Sequence, residues 1–404
     1  RTIELHKKAY TALKKEFPDL PVGFMIYGLF MNPSADKRLF VKEDLFDYAD
    51  FIDTHLYASG VDWTEWEDLQ QQYEKRGRKT YLISTEMSIV SGADHVSRAR
   101  GTIMGCLDAF AHNMRMTYYF NQANHYNHMF SPPIGRDIPA GSDQTMNFLH
   151  MQLVARPKVS PDIVPNGKQD RWVAFQNGGA SYMPVLQTMA YYNLVQNYEV
   201  SDFRETRKPD DHSAAHVFDR RDATVVGMYL TKPLGFKTYA VKADTAFTVQ
   251  DMFGRNTRVM PLDSVALIAV DDTPTTLIFD KRVEKFAIEP VTGGVADATL
   301  AKGGAGQLAV TLPGLFSAAH KLRLACVWAG ATEGALPVKP GEPAAVTLPI
   351  SIGAEQAVGV YPLRIRILDG EKVVALLGSS LNVTELLRMD VADVPLTARQ
   401  NPAI

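Results

Sequence analysis

The sequence predicts an α/β region followed by all-β domains, and the spacing of its apolar segments supports this fold class in two ways. Up to about residue 199, strand-like and helix-like segments alternate, and the strands recur about every 30 residues, as in parallel βα units. After that point, short apolar runs are divided by turn residues, which is typical of antiparallel sheets. Four βα units make half of a (β/α)8 TIM barrel, so we expect a half barrel followed by two β-sandwich domains.

The first helix is amphipathic and is already under way where the sequence begins. Apolar residues recur at helical spacing from Ile3 to Phe17, and Pro18 ends the segment. Because Thr2 is the only capping residue before Ile3, we expect the fold to begin upstream of Arg1.

The remaining elements of the α/β region follow from apolar runs and helical periodicity. The predicted strands are Pro21–Ile26, Asp50–Tyr57, Thr80–Glu86 and Arg115–Asn121, and the predicted helices are Lys42–Tyr48, Asp62–Lys75, Asp94–Asn113, Ser142–Ala155 and Ser181–Tyr198. Trp63 and Trp66 are three residues apart on a helix, a spacing that favours packing over a sugar-binding platform.

Four segments follow from these patterns. We expect the half barrel in residues 1–199, a β-sandwich packed on it in 200–280, a second β-sandwich in 281–384, and a linker or tail in 385–404.

Composition excludes several classes of protein. A hydrophobic content of 46% and a charged content of 22% indicate a globular chain with a large core. The net charge of -3 gives no electrostatic reason to expect nucleic acid or an anionic membrane as a partner. Cys106 and Cys326 are far apart in the sequence, so we expect no disulfide.

Polar and aromatic side chains stand where the predicted strands end. Asp53, His55 and Tyr57 close the second strand and Glu86 closes the third, while the end of the fourth strand carries Tyr118, Phe120, Asn121 and Gln122. Active sites of (β/α)8 barrels lie at these carboxyl ends. The sequence therefore predicts a hydrogen-bonding pocket with aromatic walls, for which no cofactor is needed.

Each of these residues also has a purely structural interpretation. Glu86 could pair with an Arg or Lys, His55 could be a core histidine, and Asn121 and Gln122 could cap a turn. His125 and His128 have the spacing of metal ligands on a helix, but their segment is loop-like and offers no third ligand, so we expect no metal.

Several segments resemble clan A glycoside hydrolases. IDTHLY followed by LISTEMS is similar to strands 6 and 7 of that clan, and the opening helix with PDLPVGF is similar to the passage from strand 4 into strand 5. The segment from HVFDRRDATVVGMYLTKP onward resembles the β-sandwich of family 39 and related groups. Its D-x-(F/Y)-G turn reads Asp251, Phe253 and Gly254, and its closing strand carries Pro274.

This resemblance implies the C-terminal half of the barrel and a retaining glycoside hydrolase that acts on an oligo- or polysaccharide. It implies that Glu86 is the nucleophile. Tyr57 would hydrogen-bond Glu86, His55 would orient that network, and Tyr119 or Phe120 would stack on a sugar. The clan's acid/base is a Glu after an Asn on strand 4, and no Asn-Glu dipeptide occurs in this sequence.

We therefore expect the acid/base on a missing N-terminal half of the barrel, supplied by upstream chain or by a second fragment. We expect a secreted or periplasmic protein. One alternative is a non-catalytic carbohydrate-binding protein on the same scaffold, and another is an adhesion protein whose β-domains carry the function.

Overall fold

A computed structural model of the chain describes residues 2–30, 34–56, 61–87, 95–119, 154–155, 183–184, 186–198, 201–232, 235–326 and 333–385. This part of the chain is mostly β-sheet with few helices, as expected for a mixed α/β and β-sandwich protein. It divides into two compact units. The first comprises Arg1–Leu234, Ala243–Val259 and Val270–Ala287, and the second comprises Gly235–Lys242, Met260–Ala269 and Ile288–Ile404.

The first unit contains a four-stranded sheet in which neighbouring strands are parallel and follow chain order. Its strands are β1 (Gly23–Met25), β2 (Phe51–Leu56), β3 (Leu82–Met87) and β4 (Met114–Tyr119). The helices of the same region are α1 (Thr2–Glu16), α2 (Ala35–Lys42), a 3-10 helix (Leu45–Tyr48), α3 (Thr64–Lys75) and α4 (His95–Ala111). The predicted alternation of strand and helix is therefore confirmed for four parallel strands.

The core of this region is rich in large aromatic side chains. Phe40, Phe46, Trp66 and Tyr73 are fully buried, and the rings of Phe46 and Tyr73 meet edge to face with centroids 5.1 Å apart. Trp63 is also buried, at 7% exposure. The prediction that the two tryptophans pack inside the fold is thus confirmed.

Some element boundaries differ from those expected. The segment predicted as one helix from Lys42 is instead the end of α2 followed by the 3-10 helix, because Asp44 adopts a left-handed backbone conformation with φ of 45° that interrupts helical geometry. The last predicted helix starts at Leu186, as α5 (Leu186–Tyr198), and is preceded by the two-residue strands β5 (Val154–Ala155) and β6 (Met183–Pro184). Most of the predicted helix Ser142–Ala155 lies outside the described residues.

The first unit also contains a six-stranded antiparallel sheet, in the order β12-β11-β14-β9-β8-β7. Its strands are β7 (Asp202–Arg207), β8 (Ser213–Asp219), β9 (Thr224–Leu230), β11 (Phe247–Asp251), β12 (Asn256–Val259) and β14 (Thr275–Phe279). Every residue of β9 is buried. A Cβ on Gly227 would lie only 2.8 Å from Leu107 of α4, so glycine permits close packing of this helix against the sheet.

Two sheets form the second unit. An eight-stranded sheet runs in the order β15-β10-β13-β23-β22-β19-β20, with β17 also paired to β23, and a three-stranded sheet runs in the order β16-β18-β21. Buried side chains of both sheets, such as Leu308, Leu348 and Ile365, share one hydrophobic core. The strands are β10 (Lys237–Lys242), β13 (Val265–Val270), β15 (Ala287–Pro290), β16 (Gly294–Val295), β17 (Ala298–Ala301), β18 (Ala305–Leu312), β19 (His320–Cys326), β20 (Glu333–Val338), β21 (Ala344–Ser351), β22 (Gly359–Asp369) and β23 (Lys372–Thr384).

The strands β10 and β13 belong to the eight-stranded sheet, although both lie in the segment expected to form the first sandwich. Leu267 and Ile268 of β13 pair in parallel with Ala375 and Leu376 of β23. A short, continuously apolar strand such as VALIAV is suited to burial on both faces, but its sequence does not identify its partner strand. The boundary expected between residues 280 and 281 stays a prediction.

Candidate active site

Glu86 and His55 lie side by side at the carboxyl ends of adjacent parallel strands. His55 of β2 is in register with Glu86 of β3, and His55 Nδ1 is 3.4 Å from Glu86 Oε2. The imidazole side chain is 13% exposed and the carboxylate 23% exposed. The pair is therefore sheltered, yet the carboxylate remains within reach of a ligand above the strand ends.

Tyr27 adds an aromatic wall beside this pair. It follows β1, and its ring meets the ring of His55 edge to face with centroids 4.9 Å apart. Half of Tyr27 is exposed, at 50%. Tyr27 is not among the predicted site residues, although it immediately follows the predicted strand Pro21–Ile26 and so stands at a strand end, as His55 does.

Asp53 lies two residues before His55 and binds the strand that carries Glu86. Its Oδ1 accepts the backbone N–H of Thr85 at 3.0 Å, and its Oδ2 accepts the Thr85 hydroxyl at 2.8 Å. Asp53 itself is 8% exposed. Because both of its oxygens accept hydrogen bonds from Thr85, this buried carboxylate is well satisfied.

Strand β3 is irregular just before Glu86. Asp53 pairs with Ile83, but the next pair in register is His55 with Glu86, so one more residue lies on β3 than on β2. The pairing of β3 with β4 is shifted over the same residues, between Ser84 and Met87. This is a β-bulge, a feature that turns a side chain toward the opposite face of a sheet.

Most of the other predicted site residues lie outside the described residues. These are Tyr57, Phe120, Asn121 and Gln122, together with His125 and His128. Tyr119 ends β4, and only its backbone is described. Of the residues predicted to form the site, the structure thus places His55 and Glu86 together. Within the described ranges, no group of three His, Cys, Asp or Glu residues could hold a metal ion.

The D-x-(F/Y)-G segment forms a tight turn between β11 and β12 of the first unit. Asp251 Oδ1 accepts the backbone N–H groups of Phe253 at 3.0 Å and Arg255 at 2.9 Å. Gly254 has φ of 87°, a conformation that favours glycine. These residues therefore have a structural role in the turn.

Comparison with known proteins gives weak structural similarities. No protein-family model and no curated protein matches the chain. Similar solved structures include a family 123 glycoside hydrolase from Clostridium perfringens, with 13% identity over 23% of this chain and 23% of that one, at a TM-score of 0.17. A γ-CGTase from alkalophilic Bacillus clarkii has 10% identity over 86% of this chain and 51% of that one, at a TM-score of 0.24. An α-amylase from Anoxybacillus has 9% identity over 68% of this chain and 73% of that one, at a TM-score of 0.25.

The chain thus spans about a quarter and about half of the first two structures. At these TM-scores the similarity decides neither the fold nor the activity, and the resemblance to clan A and family 39 stays a prediction. None of the described helices is long and apolar enough to cross a membrane.

Proposed function

We propose that the chain is part of a retaining glycoside hydrolase that acts on an oligo- or polysaccharide, with Glu86 as its nucleophile. The observation that carries the proposal is the pairing of Glu86 with His55 at the carboxyl ends of two parallel strands, with 3.4 Å between their side chains. Barrel enzymes carry their chemistry at this end of the sheet. Because the proposed substrate is polymeric, we also propose a secreted or periplasmic location.

In this reaction, Glu86 attacks the anomeric carbon and the bond to the leaving sugar's oxygen breaks. The leaving oxygen takes a proton from a second carboxylic acid, and water then hydrolyses the glycosyl-enzyme with that second group acting as base. His55 orients the nucleophile through its contact with the carboxylate, and Tyr27 offers a ring on which a sugar can pack. Tyr57, Tyr119, Phe120, Asn121 and Gln122 remain proposed substrate-binding residues.

The second carboxylic acid is proposed to lie on the N-terminal half of the barrel, as upstream chain or as a second fragment. In retaining enzymes the two carboxyl groups are about 5–5.5 Å apart. Asp53 is a poor acid for this role because both of its oxygens already accept hydrogen bonds from Thr85. The sequence also contains no Asn-Glu dipeptide.

Exposed apolar side chains of the parallel sheet support a missing half barrel. Among the described strands, β1 and β4 are the edges of the sheet. Met25 of β1 is 49% exposed and Met116 of β4 is 39% exposed. An uncovered sheet edge and apolar surface are costly in water, and closure of a barrel removes both.

The proposal is tested by substituting Glu86 in the polypeptide that carries both barrel halves. Glu86→Gln keeps the shape of the side chain but removes the nucleophile, so hydrolysis of aryl glycosides and polysaccharides should be abolished while the thermal unfolding midpoint is preserved. Glu74→Gln changes an exposed glutamate of α3 and is the matched control. Substantial turnover by Glu86→Gln with a natural substrate would refute the assignment.

A non-catalytic carbohydrate-binding or adhesion protein is the second candidate, and the absence of an Asn-Glu dipeptide in 404 residues favours it. A glycan array probed with residues 1–404, together with a turnover assay, separates the two. Binding to glycans without turnover, even when the upstream sequence is present, would support a binding protein. Turnover that depends on Glu86 would exclude it.

A further inference from the structure

The bulge in β3 decides which face of the sheet Glu86 occupies. Side chains of a regular strand alternate between faces, so Leu82, Ser84 and Glu86 would share one face. Leu82 and Ser84 are fully buried, but Glu86 is partly exposed and Met87 is fully buried instead. Met87 contacts Cys106 of α4, with 3.5 Å between their sulfur atoms, so the helix-packed face passes from Ser84 to Met87.

The hydrogen bonds at the bulge come from side chains of the same two strands. The extra residue of a bulge interrupts the regular backbone ladder. Here the N–H of Thr85 donates to Asp53 Oδ1, and its hydroxyl donates to Asp53 Oδ2. The hydroxyl of Ser84 donates to the carbonyl oxygen of Glu86 at 3.1 Å, which joins the residues on either side of Thr85.

Asp53 is itself held in place by both neighbouring strands. Its backbone carbonyl oxygen accepts the N–H of Ile26 at 2.8 Å, beyond the end of β1. Its side chain is buried, so a carboxylate at this position is costly unless it is hydrogen-bonded. The two bonds from Thr85 provide that compensation, and both are made by the extra residue of the bulge.

We propose that Asp53 is a positioning residue that locks the bulge at Thr85 and so directs Glu86 toward His55. Loss of the Asp53 carboxylate removes both acceptors from Thr85. A return of β3 to regular alternation would then turn the Glu86 side chain toward the helix-packed face, because a shift of one residue exchanges the two faces of a strand. The catalytic part of this inference rests on the proposed function, whereas the structural part does not.

The kinetic test compares two substitutions of Asp53 in the active polypeptide. Asp53→Ala removes the lock, and we expect kcat to fall by about 100-fold or more with little change in KM, as for a misplaced nucleophile. In Asp53→Asn, the amide oxygen can still accept the Thr85 N–H and the amide nitrogen can donate to the Thr85 hydroxyl. We therefore expect this variant to keep kcat within about tenfold of the wild type.

A loss with Asp53→Asn as large as that with Asp53→Ala would overturn the positioning role, because it would require the charge or the proton of Asp53. Thr85→Val and Thr85→Ser form a second pair that leaves Asp53 unchanged. Valine lacks the hydroxyl donor and should lower kcat, whereas serine should rescue it. Asp19→Asn alters an exposed aspartate and is the control.

A spectroscopic test needs no activity and so separates this inference from the proposed function. The NMR signals of the His55 ring report the nearby carboxylate, and Glu86→Gln assigns the shift caused by its loss. We expect Asp53→Ala to move the His55 signals in the same direction as Glu86→Gln, while Asp19→Asn leaves them in place. If the His55 signals are unchanged in Asp53→Ala, the proposal that Asp53 holds the bulge in place is wrong, whether or not the protein hydrolyses glycosides.

Discussion

His55 Nδ1 lies 3.4 Å from Glu86 Oε2 across two adjacent parallel strands, and this contact links the imidazole to the proposed nucleophile. A misplacement of about 1 Å of a reacting group can cost about 100-fold in rate. We expect His55→Ala to lower kcat by about 10- to 100-fold, because the carboxylate loses the group that orients it. Steady-state kinetics on an aryl glycoside measure this effect.

His6→Ala is a matched control for that substitution. His6 contacts the backbone oxygen of Tyr48 through Nε2 at 2.7 Å and also packs against Phe24, away from the strand ends that carry Glu86. The His6→Ala substitution should therefore leave kcat unchanged. Equal kcat values for His55→Ala and the wild type would show that His55 does not assist Glu86.

Thr54 lies next to Asp53 on the opposite face of β2, and its hydroxyl oxygen is buried without a hydrogen-bond partner among the described residues. An unsatisfied buried hydroxyl costs about 1 kcal/mol or more. We expect Thr54→Val to raise the free energy of unfolding by about 1 kcal/mol, as measured by thermal or urea denaturation.

Thr117→Val provides the contrast, because Thr117 is also buried but lies 3.0 Å, through Oγ1, from the hydroxyl of Tyr191. This variant should lose about 1 kcal/mol of stability. If both valine variants are destabilised alike, the difference in hydrogen bonding between the two threonines has no energetic meaning.

His216 should make the first unit sensitive to acid. Burial lowers the pKa of its imidazole to about 4, against the smaller opposing effect of Asp108, and His112 lowers it further. The ring contacts Thr206 through Nδ1 at 2.9 Å and Tyr229 through Nε2 at 3.2 Å. Above about pH 7.5 the imidazole is neutral in both the folded and the unfolded chain, so its titration has almost no effect on stability there.

As the pH falls from 6.5 toward 4, the unfolded chain takes up a proton at His216 that the folded chain does not. Stability should therefore fall across this window, by about 3 kcal/mol at pH 4. His216→Gln should be less stable than the wild type at neutral pH but show a shallower decline with acid. Unfolding measured between pH 7.5 and 4 checks this, and identical slopes for the two proteins would contradict it.

The half-barrel proposal predicts the behaviour of residues 1–404 expressed alone. Among the described strands, β1 and β4 are sheet edges and Met25 and Met116 are exposed, so this segment should self-associate and hydrolyse no glycoside. General acid catalysis is typically worth about 10²–10⁴-fold, and the proposed acid lies outside the segment. Size-exclusion chromatography and turnover assays test both points. A stable monomer with activity would refute the half-barrel proposal.

Much of the α/β region could be predicted because its signals are local. The apolar centres of β2 and β3 and their strand-end polar residues predicted that His55 and Glu86 would be neighbours, since the carboxyl ends of parallel strands meet at one edge. The retaining mechanism and the roles of the other predicted site residues stay predictions. Strand partners were harder to predict. Nothing in the sequence of β13 shows that it pairs with β23 and not with a strand of the six-stranded antiparallel sheet.

The bulge was also beyond prediction from spacing alone. Strict alternation would place Glu86 on the same face as Ser84, and the proposed cause of the change of face is the contact between Asp53 and Thr85. That contact joins residues 32 positions apart, so no local pattern encodes it. The position of Tyr27 directly after the predicted strand Pro21–Ile26, by contrast, is a local signal that could have identified it.

Covalent labelling is the most direct test of Glu86 as the nucleophile. A panel of activated 2-deoxy-2-fluoroglycosides is incubated with the polypeptide that carries both barrel halves, and the modified peptide is located by mass spectrometry. A retaining mechanism predicts a stable glycosyl ester on Glu86, in the peptide that contains LISTEM, and no label in Glu86→Gln. A label on any other carboxylate, in a protein that hydrolyses glycosides, would contradict the assignment.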